Sequence, residues 1–159
     1  MEIRDGRAED ALAACEVLTR SIVELCVADH RNDPAILKQW LGNKTPENFR
    51  SWITAAGNSL LVTVEGTNIL AVGSVTDAGK ITLNYVSPDA RSRGVSKALL
   101  AAPEARAAQR GNIQCMLSSS ETARRFYHAN GYVDDGSPTG KFSSSSGYPM
   151  RKTLSVPKP

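Results

Sequence analysis

Residues 81–96 read ITLNYVSPDARSRGVS and run directly into KALLAAPEARAAQR, residues 97–110. Ile81, Leu83 and Tyr85 alternate with Thr82 and Asn84, the two-residue period of a strand with one apolar face. Pro88 stops the strand because proline cannot donate to a sheet ladder. Val95, Leu99, Ala102 and Arg106 then recur at helical spacing within a run of good helix formers. A strand, a glycine-bearing turn and a helix in that order make an anion site. The first N–H groups of the helix have no internal acceptor, and the helix dipole adds positive potential there. Gly94 lets a ligand approach the main chain closely, and Arg91 and Arg93 add charge, so a phosphate or pyrophosphate is the natural guest. The same residues also suit a plain connection with a solvated basic rim, so their meaning depends on what surrounds them.

Upstream, Met1 to Arg4 reads as a short strand ended by Asp5–Gly6. Asp10 is placed to cap a helix running to about Asp29, with Leu12, Val17, Leu18, Ile22, Leu25 and Cys26 as apolar positions. Pro34 and Pro46 each suit the first turn of a further short helix, carrying Trp40 and Trp52 respectively. Ser59 to Glu65 and Ile69 to Thr76 are β-rich runs joined by Gly66–Thr67–Asn68, a hairpin that leads into the central strand. Downstream, Ile113 to Leu117 reads as a buried strand and Glu121 to Asn130 as a helix ended by Gly131. Tyr132 and Val133 open another strand. Asp134 to Gly147, with the serine run 143–146, reads as a loop. Tyr148 to Leu154 reads as an edge-like strand, where Pro149 is tolerable.

The resulting plan is α/β: a single mixed, mostly antiparallel sheet of six to seven strands flanked by about four to five helices, in one domain over residues 1–159. A hydrophobic fraction of 41% and a charged fraction of 22% are those of an ordinary globular chain. The net charge of +3 is too small to argue for nucleic acid and sufficient for the rim of an anionic ligand site. Cys15, Cys26 and Cys115 are odd in number and lack metal-ligand spacing, which suggests free thiols in a reducing compartment. The charged N-terminus lacks an apolar signal core, so a cytoplasmic location without a membrane partner is expected.

The segment VSPDARSRGVSKALL, residues 86–100, resembles the acyl-CoA motif of the GNAT superfamily of N-acetyltransferases, Arg/Gln-x-x-Gly-x-Gly/Ala. Arg91, Gly94 and Ser96 occupy its positions, with serine in place of the usual small residue. A second segment, SSSETARRFYHANGY at residues 118–132, resembles the family's Asn-x-x-Ala…Tyr…Gly-Phe/Tyr stretch through Ser120, Ala123, Tyr127, Gly131 and Tyr132. The element order also matches the GNAT fold, so the resemblance covers nearly the whole chain.

The resemblance implies acetyl-CoA as acyl donor, without a metal. The donor would be held by Arg91, Ser92, Arg93, Gly94, Val95, Ser96 and Lys97, by Ser120, Ala123 and Phe126, and by the main chain at Tyr85 and Val86 in the manner of an added strand. It implies Tyr127 as the general acid facing the departing thiolate. Phe126 and Tyr127 are equally the kind of pair that packs a core. A glutamate is common on the family's central strand and absent here, which leaves the general base open: a water relay, Asp29 or His30 could serve. Cys26, Asp29, His30, Asn84 and Tyr148 are the residues expected near the acceptor. A Cys26–His30 acyl relay is conceivable on proximity alone, whereas Cys115 reads as core. Three functions therefore stand: an N-acetyltransferase acting on a primary amine by direct attack, a non-catalytic acyl-CoA-binding sensor and, last, a nucleic-acid-binding domain. The acceptor is a small molecule or peptide amine of open identity, and a homodimer is left open.

Overall fold

The computed structural model describes residues 1–91, 93–142 and 145–154. β1 (Glu2–Asp5) precedes four helices, α1 (Ala11–Leu25), α2 (Val27–His30), α3 (Pro34–Leu41) and α4 (Pro46–Thr54). β2 (Asn58–Glu65), β3 (Asn68–Thr76) and β4 (Ile81–Val86) form the expected meander. α5 (Val95–Gln109), β5 (Gln114–Ser119), α6 (Arg124–Ala129), β6 (Val133–Asp134), β7 (Thr139–Phe142) and β8 (Ser145–Thr153) complete the order. Capping follows the local sequence at α3 and α4. Asp33 accepts the Ala35 N–H, Thr45 accepts the Asn48 N–H, and each helix has proline in its first turn.

The sheet is mixed and mostly antiparallel, and it is built in two halves. One has the order β1-β2-β3-β4; in the other β8 lies between β5 and β6 and also pairs with β7. They meet at a parallel bridge between Lys80 and Met116, where the Met116 N–H donates to the Gly79 carbonyl at 3.0 Å. Beyond it β4 and β5 part, so β4 is an edge strand. A bulge sharpens the parting: Ser74 pairs with Leu83 but Val75 with Ile81, which leaves Thr82 as the extra residue. Gly79 makes the close approach possible. Its φ is +87°, and a Cβ there would lie 2.6 Å from the Gln114 carbonyl oxygen. Gly79→Ala is accordingly expected to cost about 2 kcal/mol, read as a lower urea midpoint.

α1 packs Ala14, Leu18 and neighbours against Leu60, Val62 and Val72 on one face, with Phe49 of α4 beside them. α5 packs Val95 and Leu99 against Leu70 and Ala71 on the other. The helix continues through buried Pro103, which forgoes the bond to the Leu99 carbonyl.

Several sequence readings are corrected by this packing. The first helical stretch breaks at Cys26 into α1 and α2, and Leu12 is 73% exposed because α1 presents Ala11, Ala14, Cys15 and Leu18 inward. Asp10 does not cap α1; its carboxylate accepts the Arg7 N–H and a two-pronged bond from Arg4 at 2.8 and 3.0 Å. Ile113 precedes β5 and is 68% exposed. The helix expected from Glu121 begins only at Arg124. The stretch read as a loop holds β7, which hairpins onto β8. β8 is interior rather than an edge. Pro149 survives there because its carbonyl accepts the Asp135 N–H, so its nitrogen faces the side on which the β6 ladder ends. The run 143–146 lies partly outside the described residues. No helix among the described residues is long and apolar enough to cross a membrane.

Candidate active site

Where the half-sheets part, a cavity of about 820 Å³ opens. Its floor is β4, its far wall Leu117 and Ser118 of β5 with Ser120, Ala123, Phe126 and Tyr127 at α6. Its near walls come from α1, α3 and α4. Arg91 and Ser96 also line it.

The edge of β4 supplies free main-chain groups. The Ser87 N–H donates inward to the Leu70 carbonyl at 2.7 Å. Bonded and non-bonded pairs alternate along an antiparallel ladder, so Tyr85 pairs with β3 while the main chains of Asn84 and Val86 face the opening. This refines the expectation for Tyr85: it contributes its ring, whose hydroxyl accepts the Trp40 indole N–H at 3.3 Å.

Tyr127 is 6% exposed, and its hydroxyl accepts a hydrogen bond from Asn84 Nδ2 at 2.9 Å. Accepting leaves the phenolic proton available. Burial pushes its pKa up to about 12 against the opposing pull of the Asn84 bond. Its ring meets Tyr132 edge-on at 5.6 Å and Phe126 at 5.5 Å, which is the packing expected of this aromatic pair, while Phe126 and Tyr127 also line the cavity. Asn84 Oδ1 is buried and has no hydrogen-bond partner among the described residues. A buried acceptor of that kind marks a place for a donor.

At the turn before α5, Gly94 has φ +74° and caps the helix, and among the described residues none but its chain neighbours lies within 4 Å of where its Cβ would be. Ser87 accepts the Asp89 N–H, and Asp89 receives a two-pronged bond from Arg20 of α1 at 2.8 and 3.1 Å, which pins the segment before the turn. Arg91 lies at the cavity and Arg93 does not: it pairs with Glu65 at 2.7 Å across the β2–β3 hairpin. Val95 is a core side chain, leaving only its main chain for a ligand, and Lys97 is exposed away from the lining. Ser92 lies outside the described residues.

The expected acceptor residues divide. Cys26 and Asn84 line the cavity; Asp29, His30 and Tyr148 do not. His30 is fully buried, with Nε2–H directed to the Ile22 carbonyl at 2.9 Å and Nδ1 accepting the Asn32 N–H at 3.0 Å, so neither nitrogen is presented to an amine. The Asp29 carboxylate accepts the Glu121 N–H at 2.6 Å, the Thr122 N–H at 3.1 Å and the Thr122 hydroxyl. It thereby caps, from a distant element, the turn that enters α6; Ser120 Oγ completes the cap by accepting the Ala123 N–H at 3.3 Å. Tyr148 donates to Glu121 while the Arg124 guanidinium stacks 4.2 Å from its ring centroid. Burial, with Asp29 nearby, raises the Cys26 thiol to about 12, and with His30 turned to the backbone the acyl relay loses both partners. Cys115 is core, as expected. Ser74, Thr82, Gln39, Asn43, Lys44 and Asn58 join the lining without any sequence motif having marked them.

A family model, acetyltransferase (GNAT) domain, matches residues 26–154. The chain belongs to the GNAT acetyltransferase family. No curated protein matches it. The GNAT fold is shared with a GCN5-related N-acetyltransferase from Rhodopseudomonas palustris, 23% identical with a TM-score of 0.83 over 96% of this chain and 95% of that one. It is shared equally with a PaiA N-acetyltransferase from Thermoplasma acidophilum solved with coenzyme A, 19% identical, TM-score 0.82, covering 96% and 98%. An aminoglycoside 6'-N-acetyltransferase complexed with coenzyme A is 15% identical, with a TM-score of 0.74 over 100% and 99%. At these identities the likeness establishes the fold of this GNAT domain and no acceptor.

Proposed function

We propose that this GNAT domain transfers an acetyl group from acetyl-CoA directly to a primary amine. The observation that carries the reading is the Asn84–Tyr127 pair beside the open edge of β4, with Arg91 and Ser96 lining the same cavity. The donor fits this arrangement. The α5 N-terminus, Gly94 and Arg91 suit a pyrophosphate, and the outward main chains of Asn84 and Val86 suit an extended amide-bearing arm. Acetyl-CoA, when bound, supplies an activated thioester whose sulfur departs as a thiolate.

Tyr127 would donate its phenolic proton toward that sulfur while Asn84 holds the oxygen in place. Full proton transfer from a group at about 12 to a thiolate of ordinary pKa, roughly 8.5, would cost on the order of 5 kcal/mol. Tyr127 therefore acts through a hydrogen bond that strengthens as charge develops, not as a complete acid. With Asp29 and His30 engaged elsewhere, the amine proton would leave through water held by the Ser74 and Thr82 hydroxyls and Asn84 Oδ1. The lack of a carboxylate on β4 favours a second reading, an acyl-CoA-binding module without turnover.

Free-thiol release from acetyl-CoA, followed with and without a panel of amines, separates the two. Amine-dependent release supports transfer; tight binding with no release supports the module. Gly94→Val should weaken acetyl-CoA binding about tenfold or more, through a strained positive φ and a side chain placed in the ligand's approach. Unchanged affinity in that variant would remove the turn from the site.

A further inference from the structure

We infer that the acceptor is a primary amine that also carries a carboxylate, and that Lys44 binds that carboxylate; the inference rests on the acetyltransferase reading above. The lining of the cavity holds two charged side chains, Arg91 and Lys44, and among the described residues it contains no aspartate or glutamate. The positions outside the described set, Ser92, Ser143, Ser144 and residues 155–159, contain no acidic side chain either. Arg91 belongs to the phosphate turn. Lys44 lies on the α3–α4 connection, with Trp40 and Asn43 on one side of it in sequence and Trp52 on the other, all four lining the cavity.

Lys44 is placed for an anion that the protein does not supply. Its Nζ donates to Asn43 Oδ1 at 2.7 Å, and no carboxylate among the described residues stands within ion-pair distance. The side chain is half-buried, and burial lowers its pKa to about 8. A half-buried lysine whose ammonium is bonded to one neutral amide is stabilised when a carboxylate enters beside it.

Two acids bonded to lining residues, Asp29 and Asp77, stay out of the lining itself. Asp29 holds the Glu121–Thr122 turn, and Asp77, whose N–H bonds to the Gly57 carbonyl, pairs with Arg110. A polycationic acceptor would thus meet two positive side chains and no counter-charge. An amino acid or related amino-carboxylate instead meets Lys44 at its anionic end and the apolar Trp40, Trp52 and Leu83 surfaces along its body. Its amine is then left for the open edge of β4.

The test compares α-, β- and ω-amino acids with their carboxamides, and with spermidine, in acetyl-CoA-dependent thiol release. Calorimetric binding of the same compounds to the CoA-saturated protein runs beside it. Acids should exceed their amides by about tenfold or more in kcat/KM, the scale of one charge-assisted bond. Lys44→Met should abolish that preference through KM for the acceptor, with KM for acetyl-CoA unchanged, and Lys44→Arg should retain it. Amides or spermidine matching the acids, or a preference that survives Lys44→Met, would overturn the inference while leaving acetyl transfer intact. Lys44-dependent binding of acids with no thiol release would uphold the carboxylate site and overturn the transfer reading. Absence of both binding and turnover of every acid counts against the inference.

Discussion

Tyr127→Phe lowers kcat about 100-fold and leaves KM for acetyl-CoA nearly unchanged. In the proposed mechanism the hydroxyl meets the departing sulfur only as charge develops, so its loss should fall on the transition state and not on donor binding. The magnitude is that of one pre-aimed donor at a developing anion, ~10²-fold or about 2.7 kcal/mol. The substitution also strands Asn84 Nδ2, whose partner is the Tyr127 oxygen at 2.9 Å, so a modest loss of stability accompanies it. A pH profile sharpens the test. With the phenol held near 12, the wild-type rate shows no alkaline limb from tyrosinate formation between pH 7 and 10. Rates by thiol release that match wild type in the phenylalanine variant would remove Tyr127 from the chemistry.

Asp29→Ala unfolds the protein at markedly lower denaturant, with a loss of about 3–5 kcal/mol. The carboxylate is 1% exposed and accepts from two main-chain N–H groups and the Thr122 hydroxyl, which alanine leaves without their acceptor. Against a total stability of roughly 5–15 kcal/mol this is a large share. Asp29→Asn keeps one acceptor oxygen and should lose about half as much. Because the capped turn leads into α6, the variants that remain folded should also lose kcat through misplacement of Tyr127, with acetyl-CoA affinity less affected. Asp29→Ala with wild-type stability and a selective loss of acceptor turnover would return Asp29 to the role of a substrate residue.

The elements legible along the chain are those whose signals are local. The alternation of Ile81, Leu83 and Tyr85, the Gly66–Thr67 turn, and the proline-led starts of α3 and α4 each encode their structure within a few residues. The glycine turn before α5 and the α6 tyrosine stand out in the sequence for the same reason. Each is a short pattern attached to a helix terminus. β7 was not readable, because its glycine-containing stretch becomes a strand only by pairing with β8. Leu12 and Ile113 misled because an apolar residue declares a preference for burial, not the face on which its neighbours will pack.

The sequence by itself determined the order of elements and the candidacy of the Arg91–Ser96 turn and of Tyr127 as site residues. The tertiary structure decided what those residues can do. Asp29 and His30 look alike in one dimension, as an acid and a base at a helix end. In space one caps a turn 92 residues away, and the other bonds the backbone carbonyl of Ile22. Arg91 and Arg93 are equivalent cations in the chain, yet one reaches the cavity and the other pairs with Glu65. Lys44 carried no motif, and its meaning comes from the acids that long-range packing leaves out of the cavity around it. Strand and helix periodicity arise from contacts a few residues apart, whereas a site is a convergence of side chains from distant elements. Its hydrogen bonds and charges are set only when the two half-sheets part at Gly79 and Thr82.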